Sequence, residues 1–284
     1  MMIDVENLME SLNKITSISN EEWINSLTKR KLEELEFHDT HRDESQVGSL
    51  DKDTYEKLYG NKKYYQATEL SKVYVDNWIN TYAKDKIFLD YACGNGFNAI
   101  KAAKADARLS IGIDISSVSV INARKHADIN HLSDKTFFVQ ADCENTQIPE
   151  ESIDVIICSG MLHHLDLSYA FPELRRILAP GGRILCVEAL DYNPLIKLYR
   201  HLTPQMRTEW EKAHILNLSD VKFAQRFFNI GEIRYWHILS VFAPKISLSL
   251  LPLLNSADQI LTRLPLLQLM AWIFTFELIK PKVE

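Results

Sequence analysis

Residues 87–97 read IFLDYACGNGF, and this stretch decides the fold. A short apolar run closes on Asp90, two glycines follow at alternate positions, Gly94 and Gly96, and a new apolar-periodic stretch opens at Phe97. The pattern is a buried strand, a tight turn and a helix start. Glycine at those positions lets the backbone turn sharply and come close to a ligand without a Cβ in the way. The helix beyond it presents free N–H groups, so a nucleotide-like or carboxylate-bearing ligand fits there.

Working outward, the same alternation continues through LSIGID, TFFVQAD, IDVIICSG and GRILCVEAL, with helical periodicity between them. Strand and helix in units of this length predict right-handed crossovers and a parallel sheet. Leu167, Ala170, Phe171, Leu174, Ile177 and Leu178 form one apolar stripe, and Pro180-Gly181-Gly182 is expected to stop that helix before the next strand. GEIRYWHILSV and MAWIFTFELIKP read as two further strands, the last expected to run antiparallel. The fold expected is therefore α/β, a Rossmann-like doubly wound sheet with an N-terminal helical cap and a helical insertion near the C-terminus.

Upstream of the core, residues 21–37 and 66–82 carry amphipathic helical spacing, and the polar stretch HDTHRDESQVGSLDKD between them reads as a loop or flap. Thr203-Pro204 has the form of a helix start leading into MRTEWEKAHIL. The division expected is a cap over 1–84 and a main domain over 85–284, in which insertions at 191–229 and 242–269 build an acceptor pocket or lid. From Ile238 to Ile279 only Lys245, Asp258, Arg263 and Glu277 are charged, yet the longest uncharged run has 13 residues, too short for the roughly 20 of a transmembrane helix. Three readings stay open for this apolar insertion: a helical pair on the sheet edge, a lid over an apolar substrate, or a peripheral membrane contact.

Composition narrows the class. The chain of 284 residues is 46% hydrophobic and 25% charged, which excludes wholesale disorder and fibrous architectures. A net charge of -6 argues against nucleic acid as a partner, since affinity there comes from Lys and Arg neutralising phosphates. The charge is uneven: residues 1–60 hold seven Lys/Arg against fourteen Asp/Glu, whereas residues 195–245 hold eight against four. Surfaces of opposite sign that face each other, or attraction of an anionic substrate or lipid headgroup, both follow from that asymmetry. Cys93, Cys143, Cys158 and Cys186 show no metal-ligand spacing and no disulfide density, and the acidic N-terminus lacks a signal-peptide pattern, so a cytoplasmic protein is expected.

Asp114 closes the second strand 20 residues after Gly94, where an acid can accept hydrogen bonds from ribose hydroxyls. The glycine pattern alone is shared with dinucleotide oxidoreductases. Asp90 before the glycines, Asp142 after the third strand and LRRILAPGGRIL before the fifth make a set that resembles class I S-adenosylmethionine-dependent methyltransferases. IDVIICSGMLHHL looks like their ubiquinone/menaquinone and small-molecule branch. The resemblance covers roughly residues 85–190 plus the last two strands, and Phe97-Asn98 departs from it where a third glycine is commonest.

That resemblance implies S-adenosyl-L-methionine as cofactor: its methionine part on Asp90, Gly94 and Gly96, its ribose on Asp114, its adenine on Ile115, Asp142 and Cys143, its amino group near Ser159. Methyl transfer needs alignment and, for a protonated acceptor, a base; no metal is obligatory. His163 and His164, after the fourth strand, are the candidate bases, with His201, His214 and His237 weaker ones and Tyr64 or Tyr65 as a cap over the cofactor. CSGMLHH lacks the Asn/Asp-Pro-Pro-Tyr/Phe signature of amino-group methylation. The expectation is a secondary-metabolism enzyme that methylates oxygen or an activated carbon of a small, apolar or amphiphilic acceptor. A noncatalytic binding protein of the same fold and an NAD(P)-dependent oxidoreductase are the alternatives.

Overall fold

The computed structural model describes residues 5–43 and 47–282. The chain opens with helices α1 (Val5–Thr16), α2 (Asn20–Ser26), α3 (Lys29–Arg42), α4 (Lys52–Tyr59) and, after a 3-10 turn, α5 (Glu69–Tyr82). The alternating core is β1 (Ile87–Tyr91), α6 (Phe97–Lys104), β2 (Leu109–Asp114), α7 (Ser117–Ile129), β3 (Thr136–Gln140), β4 (Ile153–Ser159), α8 (Leu167–Ile177) and β5 (Leu178–Ala189). The remainder is α9 (Pro194–Leu202), α10 (Glu209–Ala213), α11 (Leu218–Ala224), β6 (Asn229–Trp236), α12 (Ala243–Ile246), α13 (Leu251–Leu261) and β7 (Ile273–Ile279).

The seven strands lie in the order β3-β2-β1-β4-β5-β7-β6, and β7 runs antiparallel to both its neighbours. This is the mixed, Rossmann-like sheet expected. β1 is buried on both faces, so its side chains sort by parity. Ile87, Leu89 and Tyr91 join the cluster that includes Leu8, Leu12 and Ile15 of α1 and Phe171 and Leu174 of α8, while Phe88 packs with Val75, Trp78 and Ile79 of α5. Parallel pairing in register, Asp90 opposite both Gly112 and Ile157, brings the strand ends after β1, β2 and β4 to one rim. Because β7 is reversed, its first residue, Ile273, reaches that same rim.

Several local expectations change. The polar stretch 38–53 is not all loop: α3 runs on to Arg42, and Asp51 caps α4 by accepting from the N–H groups of Asp53 and Thr54 at 3.0 Å. Residues 44–46 of that stretch lie outside the described residues. Periodicity concealed the extension because residues 38–42, HDTHR, contain no apolar side chain. Pro180-Gly181-Gly182 does not separate helix from strand, since Leu178 is already extended and pairs with Ile153, and the register shift between Ile153 and Val155 absorbs the turn inside β5. Thr203-Pro204 starts only a 3-10 turn; Thr208 caps α10 instead, its hydroxyl accepting from the N–H of Glu211 at 3.1 Å.

The insertion before β7 is anchored by polar groups. Asp258 of α13 is 1% exposed and accepts from the N–H groups of Leu239 (2.8 Å) and Ser240 (3.0 Å) and from the Ser240 hydroxyl (2.6 Å). His237 is sealed between Ser71 (2.8 Å) and Ser240 (3.0 Å), and burial pulls its imidazole down to about 4. It ties α5 to the insertion and has no access to a cleft. Large apolar side chains on this segment, Leu253, Ile260 and Leu266 among them, face outward, and no helix among the described residues is long and apolar enough to cross a membrane.

Helix α1 is part of the core, with Leu8 and Leu12 both fully buried. Truncating Leu12 to Ala is expected to cost about 2–5 kcal/mol by loss of transfer free energy and cavity formation. Urea unfolding of the variant reads that loss directly, and an unchanged midpoint would place α1 outside the cooperative unit.

Candidate active site at the strand ends

Two carboxylates build the glycine loop. Gly96 is the N-cap of α6 and has no side chain to offer, so Asp90 supplies the capping oxygen, accepting from the N–H of Ala99 at 3.1 Å. Asp114 joins two loops, accepting from the Gly94 N–H at 2.8 Å and the Ser116 N–H at 2.9 Å. The glycines are needed for shape. Gly96 sits at φ +76, and a Cβ there would meet Ala123 and Phe138 at 2.8 Å. Burial pushes the Asp90 carboxyl up to about 7 against the bonds from Ala99 and Asn98, and Asp114 adds to the rise. Burial also raises Asp114, which the Ser116 and Gly94 N–H groups and Arg42 partly offset.

The turn after β4 is organised by Glu188, near the end of β5. One carboxylate oxygen accepts from the N–H groups of Met161 (2.9 Å) and Leu162 (2.8 Å), and the other accepts from His163 Nδ1 at 2.7 Å. That bond fixes the tautomer, leaving Nε2 of a neutral His163 as acceptor. Burial lowers the His163 imidazolium, but Glu188 outweighs it and the net shift is upward. His164 turns the other way, its Nδ1 bonded to Glu34 of α3 at 2.9 Å, and Glu34 also accepts from Thr208 at 2.6 Å. The two histidines thus separate in role: His163 is held by the sheet, His164 by the N-terminal segment.

Helix α3 lies across the rim like a strap. Lys31 bonds Asp142 (2.6 Å) and Glu144 (3.0 Å), Arg30 pairs with Glu144 and donates to the His164 carbonyl (2.8 Å), and the Arg42 guanidinium lies against Gly94. Under the strap is a small cavity of about 80 Å³ walled by Asp114, Ile115, Asp142, Cys143 and Ser159. It adjoins a larger one of about 720 Å³ whose walls include Asn95, Ser159, His163, Glu188 and Tyr65. His38, Arg42, Ser159, Gly160 and His164 belong to both, so the two are lobes of one cleft.

The cleft brings together Asp114, Ile115, Asp142, Cys143, Ser159, His163 and His164. Asp90, Gly94 and Gly96 stand behind its wall and shape the loop. Tyr65 lines the larger lobe, while Tyr64 is turned to Tyr199. His214 stacks on Trp210 and His201 is exposed, both away from these lobes. Sequence reasoning missed Glu188, Asn95, Glu34 and Arg42. Only Glu188 carried a signal, as an acid at a strand end on the rim; the α3 residues reach the site through the folding of a separate segment.

The wider lobe offers unpaired acceptor atoms to a polar ligand. Asn95 Oδ1 and His41 Nε2 are buried without a hydrogen-bond partner among the described residues, and both residues line the larger lobe. Two three-member sets, Glu34-His38-His164 and His163-His164-Glu211, also hold ligand atoms within 4.8 Å of one another, and these are the positions a divalent cation would take. Burial and the neighbouring cationic groups keep His38 well below its ordinary range, hence neutral.

Comparison with known proteins follows the same residues. Residues 89–186 match the family model described as "Methyltransferase domain". A 27-O-demethylrifamycin SV methyltransferase of Amycolatopsis mediterranei is 36% identical over 97 residues, 34% of this chain and 36% of that protein. Protein arginine N-methyltransferase 1 of Schizosaccharomyces pombe is 33% identical over 122 residues, 38% of this chain and 36% of that one. The chain therefore spans about a third of the length of these curated relatives. Among solved structures, geranyl diphosphate C-methyltransferase from Streptomyces coelicolor A3(2) aligns with a TM-score of 0.60 over 90% of this chain and 99% of that one, at 12% identity. That likeness concerns the fold.

Asp90 supplies a test that needs no ligand. A carboxyl raised when folded binds its proton more tightly in the native state, so its contribution to stability is full below the unfolded value near 3.9 and is lost as pH rises through about 7. Unfolding free energies of Asp90→Asn and wild type should therefore shift in the variant's favour between about pH 4 and about pH 7 and run parallel above it. A difference independent of pH would show that Asp90 titrates normally.

Proposed function

Because residues 89–186 form a domain of the class I S-adenosylmethionine-dependent methyltransferase superfamily, we propose that this protein transfers a methyl group to oxygen or an activated carbon of a small, largely apolar acceptor. The observation that carries the proposal is the meeting of Asp114, Asn95, Ser159 and the His163–Glu188 pair around one two-lobed cleft. S-adenosylmethionine supplies an electrophilic methyl on a sulfonium, already a good leaving group. Everything else is alignment and proton removal.

The narrow lobe takes the nucleoside end. Asp114 receives ribose hydroxyls on lone pairs its two N–H donors leave free, Ile115 and Cys143 give an apolar wall, and Asp142 accepts from the purine once Lys31 releases it. Asn95 and Ser159 receive the amino-acid end. The narrow lobe, about 80 Å³, is continuous with the wider one, and Lys31 of α3 closes it over Asp142. The cap over 1–84 and the insertion at 191–229 contribute Tyr65 and Met206 to the wider lobe, Trp272 just before β7 adds aromatic surface, and the insertion at 242–269 reaches instead an adjoining cavity, through Phe242 and Lys245. His163 is the base, with its Nε2 toward the cleft and Glu188 as the group that orients it and stabilises the imidazolium.

The dinucleotide alternative fits less well, since that fold is an all-parallel six-strand sheet and here β7 is reversed between β5 and β6. A noncatalytic role is separated from the proposal by turnover.

Calorimetry with S-adenosylmethionine should show one site per chain, weakened by at least about tenfold in Asp114→Ala through loss of ribose hydrogen bonds and loop support; no binding to the intact chain would remove the proposal. His163→Ala should lower turnover about 10²–10⁴-fold with cofactor affinity kept. In Glu188→Gln the raised His163 value collapses to the burial-lowered side, so the acidic limb of the pH–rate profile moves to lower pH while turnover at the plateau falls. An unmoved limb would deny His163 the role of base.

A further inference from the structure

A third cavity, of about 200 Å³, opens off the wide lobe and shares Tyr65, His163, Glu211 and Trp272 with it. Its inner surface combines hydrocarbon, notably Leu195, Ile215 and Phe242, with the cations Arg200, Arg207 and Lys245. Charge there does not balance. Asp191 is divided between Lys197 (2.9 Å) and Arg200 (3.2 Å), and Glu211 is held by Arg207 at 3.3 Å. Lys245, over the rings of Tyr64 and Tyr199 at 5.8 Å, has no carboxylate within ion-pair reach among the described residues.

Arg200 is the most telling member. Its side chain is 11% exposed, and it bonds protein through Nη1 alone, so Nε and Nη2 have no protein acceptor among the described residues. A guanidinium so largely buried, with Asp191 on one nitrogen only, has its planar fork open to a second anion. Burial is the largest influence on it and Asp191 offsets it incompletely, leaving Arg200 at about 10. The net positive charge of residues 195–245 therefore has a place in the fold: part of it lines a chamber beside His163.

We propose that this chamber seats an anionic group, carboxylate or phosphate, carried at one end of the otherwise apolar acceptor, with Arg200 as its main partner and Lys245 at the rim. The acceptor's hydrocarbon part then spans the aromatic wall toward His163. The word acceptor rests on the methyl-transfer reading above; the anion site itself does not.

The test uses the full chain without turnover. Decyl phosphate, decanoate and decan-1-ol are titrated by calorimetry, and S-adenosylhomocysteine binding is measured separately. Both anions, or one of them, should bind at least about thirtyfold more tightly than the alcohol, and whichever is tighter identifies the anion. Arg200→Gln should erase that preference while leaving the alcohol's affinity as it was, and Arg200→Lys should keep part of it. If Arg200→Gln does not fold, wild type and Lys245→Gln decide: raising salt from about 50 to about 300 mM should weaken the anions and not the alcohol, less steeply in the lysine variant. Equal binding of the alcohol, no binding of either anion, or an unaltered preference in folded Arg200→Gln overturns the proposal. Anion preference with no affinity for S-adenosylhomocysteine would keep the chamber and remove methyl transfer; the opposite pair of results would remove the chamber alone.

Discussion

One buried carboxylate, Asp114, holds the reactive rim together. It takes an N–H from the glycine turn after β1 and another from the turn after β2, so two loops that meet at a strand end become a single unit. Each of those donors would otherwise be an orphan at a crowded surface. The same logic recurs at the next gap in the sheet, where Glu188 collects the N–H groups of Met161 and Leu162 and the ring of His163. Two acids projecting from the sheet thus set the positions of nearly everything a ligand would touch.

Above this rigid floor sits a covering of another character. The contacts of α3 with the rim are charge pairs from Arg30 and Lys31, with Glu34 bridging His164 and Thr208, beside an apolar contact in which Leu32 and Leu35 cluster with Ile115. These pairs are largely enclosed, so removing one partner leaves a costly buried charge on the other. The structure therefore divides into a core of apolar clusters and a cover held mainly by enclosed charge pairs.

What could be read in the sequence follows that division. The five parallel strands and the strand-end positions of Asp90 and Asp114 were legible because strand ends, glycines and acids recur at fixed offsets in a wound sheet, whereas the reversed last strand and the place of Ser159 came with the family resemblance. His163 and His164 were legible as a pair but not as opposites, because their separation depends on Glu188 and Glu34, remote in sequence. The course of α3 to Arg42 was hidden, since its first half shows Leu32 and Leu35 at helical spacing but residues 38–42, HDTHR, carry no apolar side chain to continue the stripe. His237 looked like a free imidazole and is instead enclosed by two serines. Hydrogen-bond partners drawn from distant segments are what a linear pattern does not carry.

The reversal of β7 has a corollary for the connection that precedes it. Since that strand begins where the others finish, the segment leading into it must pass over the mouth of the cleft, and Trp272 is delivered there by chain direction alone. The connection between β6 and β7 reaches the cavity beside His163 through Val241, Phe242 and Lys245 and gives no residue to the lobe around Asp114. A change of length or composition in that one connection therefore reshapes the cavity and leaves the glycine loop as it is.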